Sequence, residues 1–70
     1  MNNDNKQASL SIAEKYNLTI KEAAEYFNIG EHRLRELTES KTCTFVLWVG
    51  NKRLIKRKEF EKFISYQSSI

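Results

Sequence analysis

The chain has 70 residues, of which 40% are hydrophobic and 30% are charged, with a formal net charge of +3. A domain near this size buries only about 60% of the surface of its unfolded chain, which disfavours a large interior active site. One cysteine and one histidine exclude an intramolecular disulfide and a zinc site built from Cys and His, and no segment approaches the roughly 18 apolar residues of a membrane span.

These limits predict a cytoplasmic domain that holds no metal and needs no cofactor. Residues 1–9 are polar and are expected to form a disordered lead-in, without the apolar run of a signal peptide. Residues 10–70 contain the apolar material for a compact core and are expected to form the single domain.

The positive charge lies mainly in the second half of the chain. Residues 1–30 carry three Lys against one Asp and three Glu, a net charge of −1, whereas residues 31–70 carry nine Lys or Arg against five Glu, a net charge of +4. This asymmetry favours an acidic partner, nucleic acid or an anionic membrane, contacted by the second half. The basic residues adjoin no exposed apolar helical face, which disfavours the membrane.

A first helix is predicted after residue 19. Thr19 and Glu22 have the spacing of a capping box, in which a hydroxyl and a carboxylate each bond to a free backbone N–H at a helix start. The apolar positions that follow have helical spacing and form one stripe: Ile20, Ala23, Ala24 and Phe27. This stripe is expected to pack on the core.

A second helix is predicted from Glu31 to about Glu39, with Leu34 and Leu37 as its buried pair. Gly30 is expected to supply the conformational freedom of the turn before it. Two short helices separated by about three residues make a helix-turn-helix.

A β-hairpin and a closing helix are predicted next. Residues 45–49 are β-branched and aromatic, Gly50-Asn51 is a two-residue loop that tolerates positive φ, and residues 52–55 form the return strand. Apolar residues at helical spacing then predict a helix from about Arg57 to about Tyr66. These residues are Phe60, Phe63 and Ile64.

Trp48 is expected to be a core residue, because a Trp in a strand of a domain with so few large residues more often packs inside; the alternative is stacking on an outside partner. Both sides of its strand are apolar. One face of that strand is expected to lie under Leu10, Ile12 and Tyr16. The whole order predicts an α+β fold, a small winged helix-turn-helix domain with a two-stranded β-hairpin as its wing and a closing C-terminal helix.

Five segments, spread over about residues 16–66, together carry a family resemblance. They are LTIKEAA at 18–24, IGE at 29–31, LR at 34–35, GN at 50–51 and IKRKEFEKFI at 55–64. With this ordered set the chain resembles the small excisionases of conjugative transposons and, more broadly, excisionase-like and MerR-like DNA-binding domains. Relatives of the broader class often have Ser or Asp before the last helix, where this chain has Lys56-Arg57, so we expect a more basic and less well capped helix start.

The resemblance implies an architectural protein that binds and bends DNA near the ends of a mobile element. It implies that this protein promotes excision by a tyrosine-type integrase and that several copies bind neighbouring sites. The partners that it implies are double-stranded DNA, the integrase and further copies of the chain, with no membrane.

The second predicted helix has the polar face of a recognition helix. If Leu34 and Leu37 face the core, a rotation of about 100° per residue places Arg33 beside a set of polar residues on the opposite side. That set is His32, Arg35, Glu36 and Glu39. Arg35 matches the paired acceptors of guanine, Glu36 can accept from cytosine, and His32 and Arg33 lie near the helix start. The alternative is a solvated face with Arg33–Glu36 and Glu31–Arg35 ion pairs, which we favour for the acids.

The segment 51–58 contains five basic residues and no acid. Lys52 and Arg53 are expected at the tip of the wing, along the DNA backbone or in the minor groove. Lys56, Arg57 and Lys58 are expected to bind the next phosphates from the base of the wing, each gaining through the release of counterions. The alternative for any single Lys is ordinary solubility. The predicted DNA-binding residues are therefore His32, Arg33, Arg35, Glu36, Lys52, Arg53, Lys56, Arg57 and Lys58.

Three functions stay open: an excisionase, a small winged-helix transcriptional regulator, and an adaptor that binds an acidic protein. An enzyme is disfavoured. A recombinase nucleophile needs a cluster of Arg and His around the scissile phosphate, which Tyr16, Tyr26 and Tyr66 lack in so short a chain with one histidine. Cys43 is interpreted as an incidental thiol.

Overall fold

The helices and strands follow one another as the sequence predicts, with one additional strand. The computed structural model describes residues 11–70, so the predicted lead-in and Leu10 lie outside the described residues. A short 3-10 helix (Ile12–Glu14) is followed by β1 (Asn17–Thr19), α1 (Ile20–Phe27), α2 (Glu31–Glu39), β2 (Val46–Val49), β3 (Lys52–Lys56) and α3 (Arg57–Ser65).

Helix α1 begins at the predicted capping box. The Thr19 hydroxyl accepts from the Glu22 backbone N–H at 3.1 Å, and the Glu22 carboxylate accepts from the Thr19 backbone N–H at 3.0 Å. The helix ends at Asn28, whose backbone is left-handed at φ 58°. Asn tolerates this conformation better than most residues. The role predicted for Gly30 was wrong, because the chain turns at Asn28 and Gly30 has an ordinary φ of −62°.

The sheet has three antiparallel strands in the order β1-β3-β2, so the predicted two-stranded wing is corrected to three strands. Leu18 of β1 and Val46 of β2 both pair with Ile55 of β3. Strand β1 has only three residues, too few to show an alternating pattern in the sequence. The predicted hairpin loop is confirmed, with Gly50 at φ 61°.

The core lies between the two predicted helices, the sheet and the closing helix. Its buried residues are Leu18, Ile20, Ala23, Leu34, Phe45, Ile55 and Phe60. Phe60 of α3 packs edge-on against Phe27 with ring centroids 4.7 Å apart, and against Phe45 at 4.8 Å. These contacts fasten α3 to α1 and to the segment before β2, which fixes where the hairpin leaves the core.

The expectation that Trp48 packs in the core was wrong. Trp48 is 50% exposed and Val49 is 53% exposed. Tyr16, expected to cover one face of their strand, is itself 73% exposed. The hairpin extends beyond the core, so only the first half of β2 lies over buried residues.

Arg57 fastens the start of α3 to the segment before β1. Its Nε donates to the carbonyl oxygen of Lys15 at 2.8 Å, and its Nη1 donates to Glu61 at 3.1 Å. Only 13% of its side chain is exposed. The preceding residue, Lys56, makes no side-chain cap, as the sequence predicts. Arg57 is therefore a structural residue in this fold.

We predict that Arg57→Met lowers the free energy of unfolding by about 1.5–3 kcal/mol, the usual contribution of a hydrogen bond to a charged group. Methionine keeps the aliphatic stem and removes the two hydrogen bonds. Urea unfolding followed by circular dichroism measures the change. Lys58→Met removes the same charge from the exposed neighbouring residue and should change stability by less than about 0.5 kcal/mol. Equal unfolding midpoints for the two variants would contradict the structural role of Arg57.

Glu22 makes the capping box sensitive to pH. The hydrogen bond from Lys15, followed by that from the Thr19 backbone, lowers the pKa of Glu22 below its ordinary value of 4.5. A carboxylate with a lowered pKa stabilises the fold fully above the ordinary pKa, and the stabilisation is lost as the pH falls through the folded pKa. The contribution of Glu22 is therefore present at neutral pH and disappears in acid.

We predict that Glu22→Gln lowers stability by about 1 kcal/mol at pH 7, because glutamine keeps the length and an acceptor oxygen but loses the charge. The difference from the parent chain should shrink below pH 4.5. Urea midpoints from pH 7 to pH 3 measure this. Glu25→Gln, at an exposed position of the same helix, is the control. A difference that stays constant over this range would refute the electrostatic origin of the effect.

Candidate nucleic-acid interface

Helix α2 presents one polar face to solvent because its opposite face is fixed in the core. Leu34 is fully buried, and Thr38, one turn later, is only 2% exposed. This leaves the side chains of His32, Arg33 and Arg35 outside, exposed by 90%, 48% and 53%. The sequence predicted that these residues face solvent, but its buried pair was only half right, because Thr38 is buried and Leu37 is half-buried.

Ion pairs occupy part of this face. Arg33 donates to Glu36 at 3.0 Å, and His32 lies 3.4 Å from the same carboxylate. The hydrogen bond from Arg33 is the largest of the causes that lower the pKa of Glu36. Arg35 lies 4.0 Å from Glu31, at the outer limit of an ion pair. Of the two arginines on this face, Arg35 is therefore the one whose guanidinium group is bound less tightly by its own helix.

Arg35 faces a cleft between α2, the start of α1 and the hairpin. We call it the interface cleft, and it is lined by Thr19, Ile20, Lys21, Glu31, Arg35, Trp48, Asn51, Lys52 and Arg53. Four of these residues are cationic and one is acidic. The hairpin tip and the exposed face of α2 thus form the two walls of one positively charged groove.

Arg53 does not lie at the hairpin tip as predicted. It is the second residue of β3 and pairs with Trp48 across the strands. Its Nη1 donates to the Thr38 hydroxyl at 3.1 Å and to the Arg35 carbonyl oxygen at 3.4 Å. Its guanidinium group lies 4.8 Å from the centre of the Trp48 ring. Lys52 is the base nearer the tip and is exposed.

The remaining bases of segment 51–58 do not join the interface cleft. Lys56 and Lys58 line a separate depression together with Tyr16, Asn17, Leu47 and Glu59. Arg57 is engaged by its contacts with Lys15 and Glu61. The run of positive charge is therefore divided among three environments.

Three residues of this region were missed in the sequence. Lys21 lies between the two capping-box residues, Thr19 and Glu22, and its position beside the cleft depends on how α1 and α2 cross. Thr38 lies four residues after Leu34, so a polar residue in the buried stripe was the available signal. For Trp48, the two-residue turn sets the strand register and could have shown that it faces Arg53.

The interface cleft presents cations and amide groups rather than a catalytic set. Among residues 11–70, no three His, Cys, Asp or Glu side chains lie together as metal ligands would. Within the same residues, no helix has the length and apolar character to cross a membrane. The arrangement of bases on two walls is suited to a polyanion that lies between them.

Comparison with known proteins identifies the family of this chain. The sequence profile of the family described as "Excisionase from transposon Tn916" matches residues 1–70. An excisionase from transposon Tn916 of Streptococcus agalactiae serotype V is 47% identical over 66 residues, which cover 93% of this chain and 98% of that protein. This chain, with its small winged-helix fold, therefore belongs to the family of the excisionase from transposon Tn916.

Proposed function

We propose that this protein binds double-stranded DNA near the ends of a mobile element and promotes excision by a tyrosine-type integrase, without cleaving DNA itself. The observation that carries the proposal is the interface cleft, in which Arg35 of α2 and Lys52 of the hairpin line one groove. Family membership is the reason for proposing excision, and the positively charged groove is the reason for proposing contacts with DNA. The proposed location is the cytoplasm.

In this proposal the exposed face of α2 enters the major groove. The major groove is about 12 Å wide and admits an α-helix. Arg35 has the freest guanidinium group of that face and is assigned to base contact. Arg33 and His32 are assigned to bases or phosphates near the helix start, and Glu36 orients Arg33 through their 3.0 Å hydrogen bond.

The hairpin lies beside the helix and contacts the DNA backbone. Lys52 at the tip and Lys21 at the start of α1 line the same groove as Arg35, so a phosphate strand in the cleft meets charge from both walls. Each phosphate contact gains free energy by the release of condensed counterions. Lys56 and Lys58 are assigned to flanking phosphates, and Arg57 is reassigned to support of the fold.

In this proposal several copies of the small domain bind next to one another and bend the DNA. One short helix and one hairpin cover a small stretch of duplex, so several copies on neighbouring sites are needed to organise an element end. A bend of 40–90° costs on the order of 1–6 kcal/mol, which is offset by the contacts that the bend permits. The bend brings integrase-bound sites together.

We predict that Arg35→Ala weakens binding to the specific site by about 1–3 kcal/mol, the usual contribution of a good base contact. The fold should stay intact, because the hydrogen bonds to this residue use its backbone carbonyl. Fluorescence anisotropy at fixed salt measures the affinity. Lys62→Ala removes an equal charge from α3 and should have a smaller effect on the specific site. Equal losses for both variants would show that Arg35 contributes only general charge.

We predict that the protein raises integrase-dependent excision in a reaction of purified integrase, element ends and this chain. Product should form only when integrase is present, because in this proposal the integrase supplies the catalytic groups. Host DNA-bending proteins are included in every arm, and Arg35→Ala is the matched variant of reduced binding. Equal excision with and without the protein would defeat the proposal. Site-specific binding under the same conditions would then favour a transcriptional regulator.

A further inference from the structure

Arg53 connects the hairpin to helix α2 at one defined point. Its side chain leaves β3 on the side of the sheet that faces α2, and its Nη1 donates to the Thr38 hydroxyl at 3.1 Å. The same nitrogen donates to the backbone carbonyl oxygen of Arg35 at 3.4 Å. A strand of the wing is thereby bonded to the residue that carries the proposed base contact.

Thr38 is placed to receive this bond. It is a buried polar residue, 2% exposed, and its hydroxyl donates to the Arg35 carbonyl at 2.9 Å. The hydroxyl oxygen therefore has lone pairs free to accept from Arg53. Thr38 is too deeply buried to contact DNA, so its hydroxyl acts only within the protein.

Trp48 completes the arrangement from the neighbouring strand. Its ring lies 4.8 Å from the guanidinium carbon of Arg53, within the range of a cation–π contact. The register Trp48↔Arg53 places the two side chains on the same side of the sheet. The guanidinium group is thus held by α2 and by β2 at the same time.

We infer that Arg53, Thr38 and Trp48 form a clamp that sets the distance between the wing and α2, and that Arg53 is a positioning residue rather than a phosphate contact. This inference rests on the proposed DNA-binding function. The clamp determines whether Lys52 reaches the backbone when Arg35 meets its base. Specificity depends on both contacts being made in one docking geometry.

The clamp sets the distance between the wing and α2 more than it stabilises the fold. The Nε of Arg53 is buried and has no hydrogen-bond partner among the described residues. A buried N–H without a partner opposes the gain from the other contacts. Variants of the clamp should therefore alter binding more than unfolding.

The experiment compares five variants with the parent chain on a specific duplex and on a random duplex over a range of salt: Thr38→Val, Thr38→Ser, Arg53→Lys, Arg53→Met and Lys52→Met. Thr38→Val removes the acceptor hydroxyl without changing charge. Arg53→Lys keeps the charge but removes the guanidinium group, whose Nη1 donates to both acceptors and whose carbon lies 4.8 Å from the centre of the Trp48 ring. Lys52→Met is the control, because it removes an exposed base next to the clamp.

For Thr38→Val and Arg53→Lys, the ratio of specific to random affinity should fall about tenfold, which corresponds to one lost hydrogen bond to a charged group. The slope of log affinity against log salt should stay unchanged for both. Lys52→Met should weaken binding to both duplexes by the same factor and reduce the salt slope by about one unit. Thr38→Ser, which restores the hydroxyl, should recover the parent ratio.

If Arg53→Lys or Thr38→Val has the same ratio of specific to random affinity as the parent chain, the inference is overturned. A reduced salt slope in Arg53→Met with an unaltered ratio would make Arg53 a phosphate contact and would overturn it as well. Amide relaxation of the free protein gives a readout without DNA, in which Asn51 should gain mobility relative to α2 in Thr38→Val and regain parent behaviour in Thr38→Ser. If the parent chain binds no DNA, the proposed function fails, whereas unchanged mobility of Asn51 rejects the clamp itself.

Discussion

The structure depends on β3, which is paired on both of its edges. Ile55, the fourth of its five residues, is fully buried and lies opposite both Leu18 and Val46. Because a shift of one residue would turn every side chain of the strand to the other face, the burial of Ile55 fixes the register of the whole sheet. That register decides where each base of the segment 51–58 lies, so the core and the charged surface are set by the same strand.

As a consequence, basic residues that look equivalent in the sequence have different contacts in the structure. Lys52 lies at the solvent end of β3, Arg53 reaches across to α2, and Arg57 supports the first turn of α3. Charged groups that make several geometrically defined hydrogen bonds within a protein are poorly placed to bind phosphates as well. A count of positive charges therefore overestimates the number of contacts available to a polyanion, and the position of each base along β3 and α3 is the better guide.

Local signals predicted the elements, whereas long-range contacts decided the roles of their side chains. The Thr19 and Glu22 spacing located α1 because a capping box is a contact within four residues. The roles of Arg53 and Arg57 depended on Thr38 and Lys15, which are 15 and 42 residues away in the chain. Strand β1 was missed for the same reason, since its three residues are defined by pairing with β3 and not by any pattern of their own.

We propose that α2 and the hairpin act as one DNA-binding surface, and amide chemical-shift mapping locates that surface residue by residue. The measurement is a titration of the ¹⁵N-labelled chain with a duplex from an element end. If this proposal is correct, the largest shift changes occur around the interface cleft, at Lys21, Arg35 and Lys52, and the changes near Ser65 at the end of α3 are small. Changes confined to the depression that contains Tyr16 and Leu47, with the interface cleft unaffected, would contradict it.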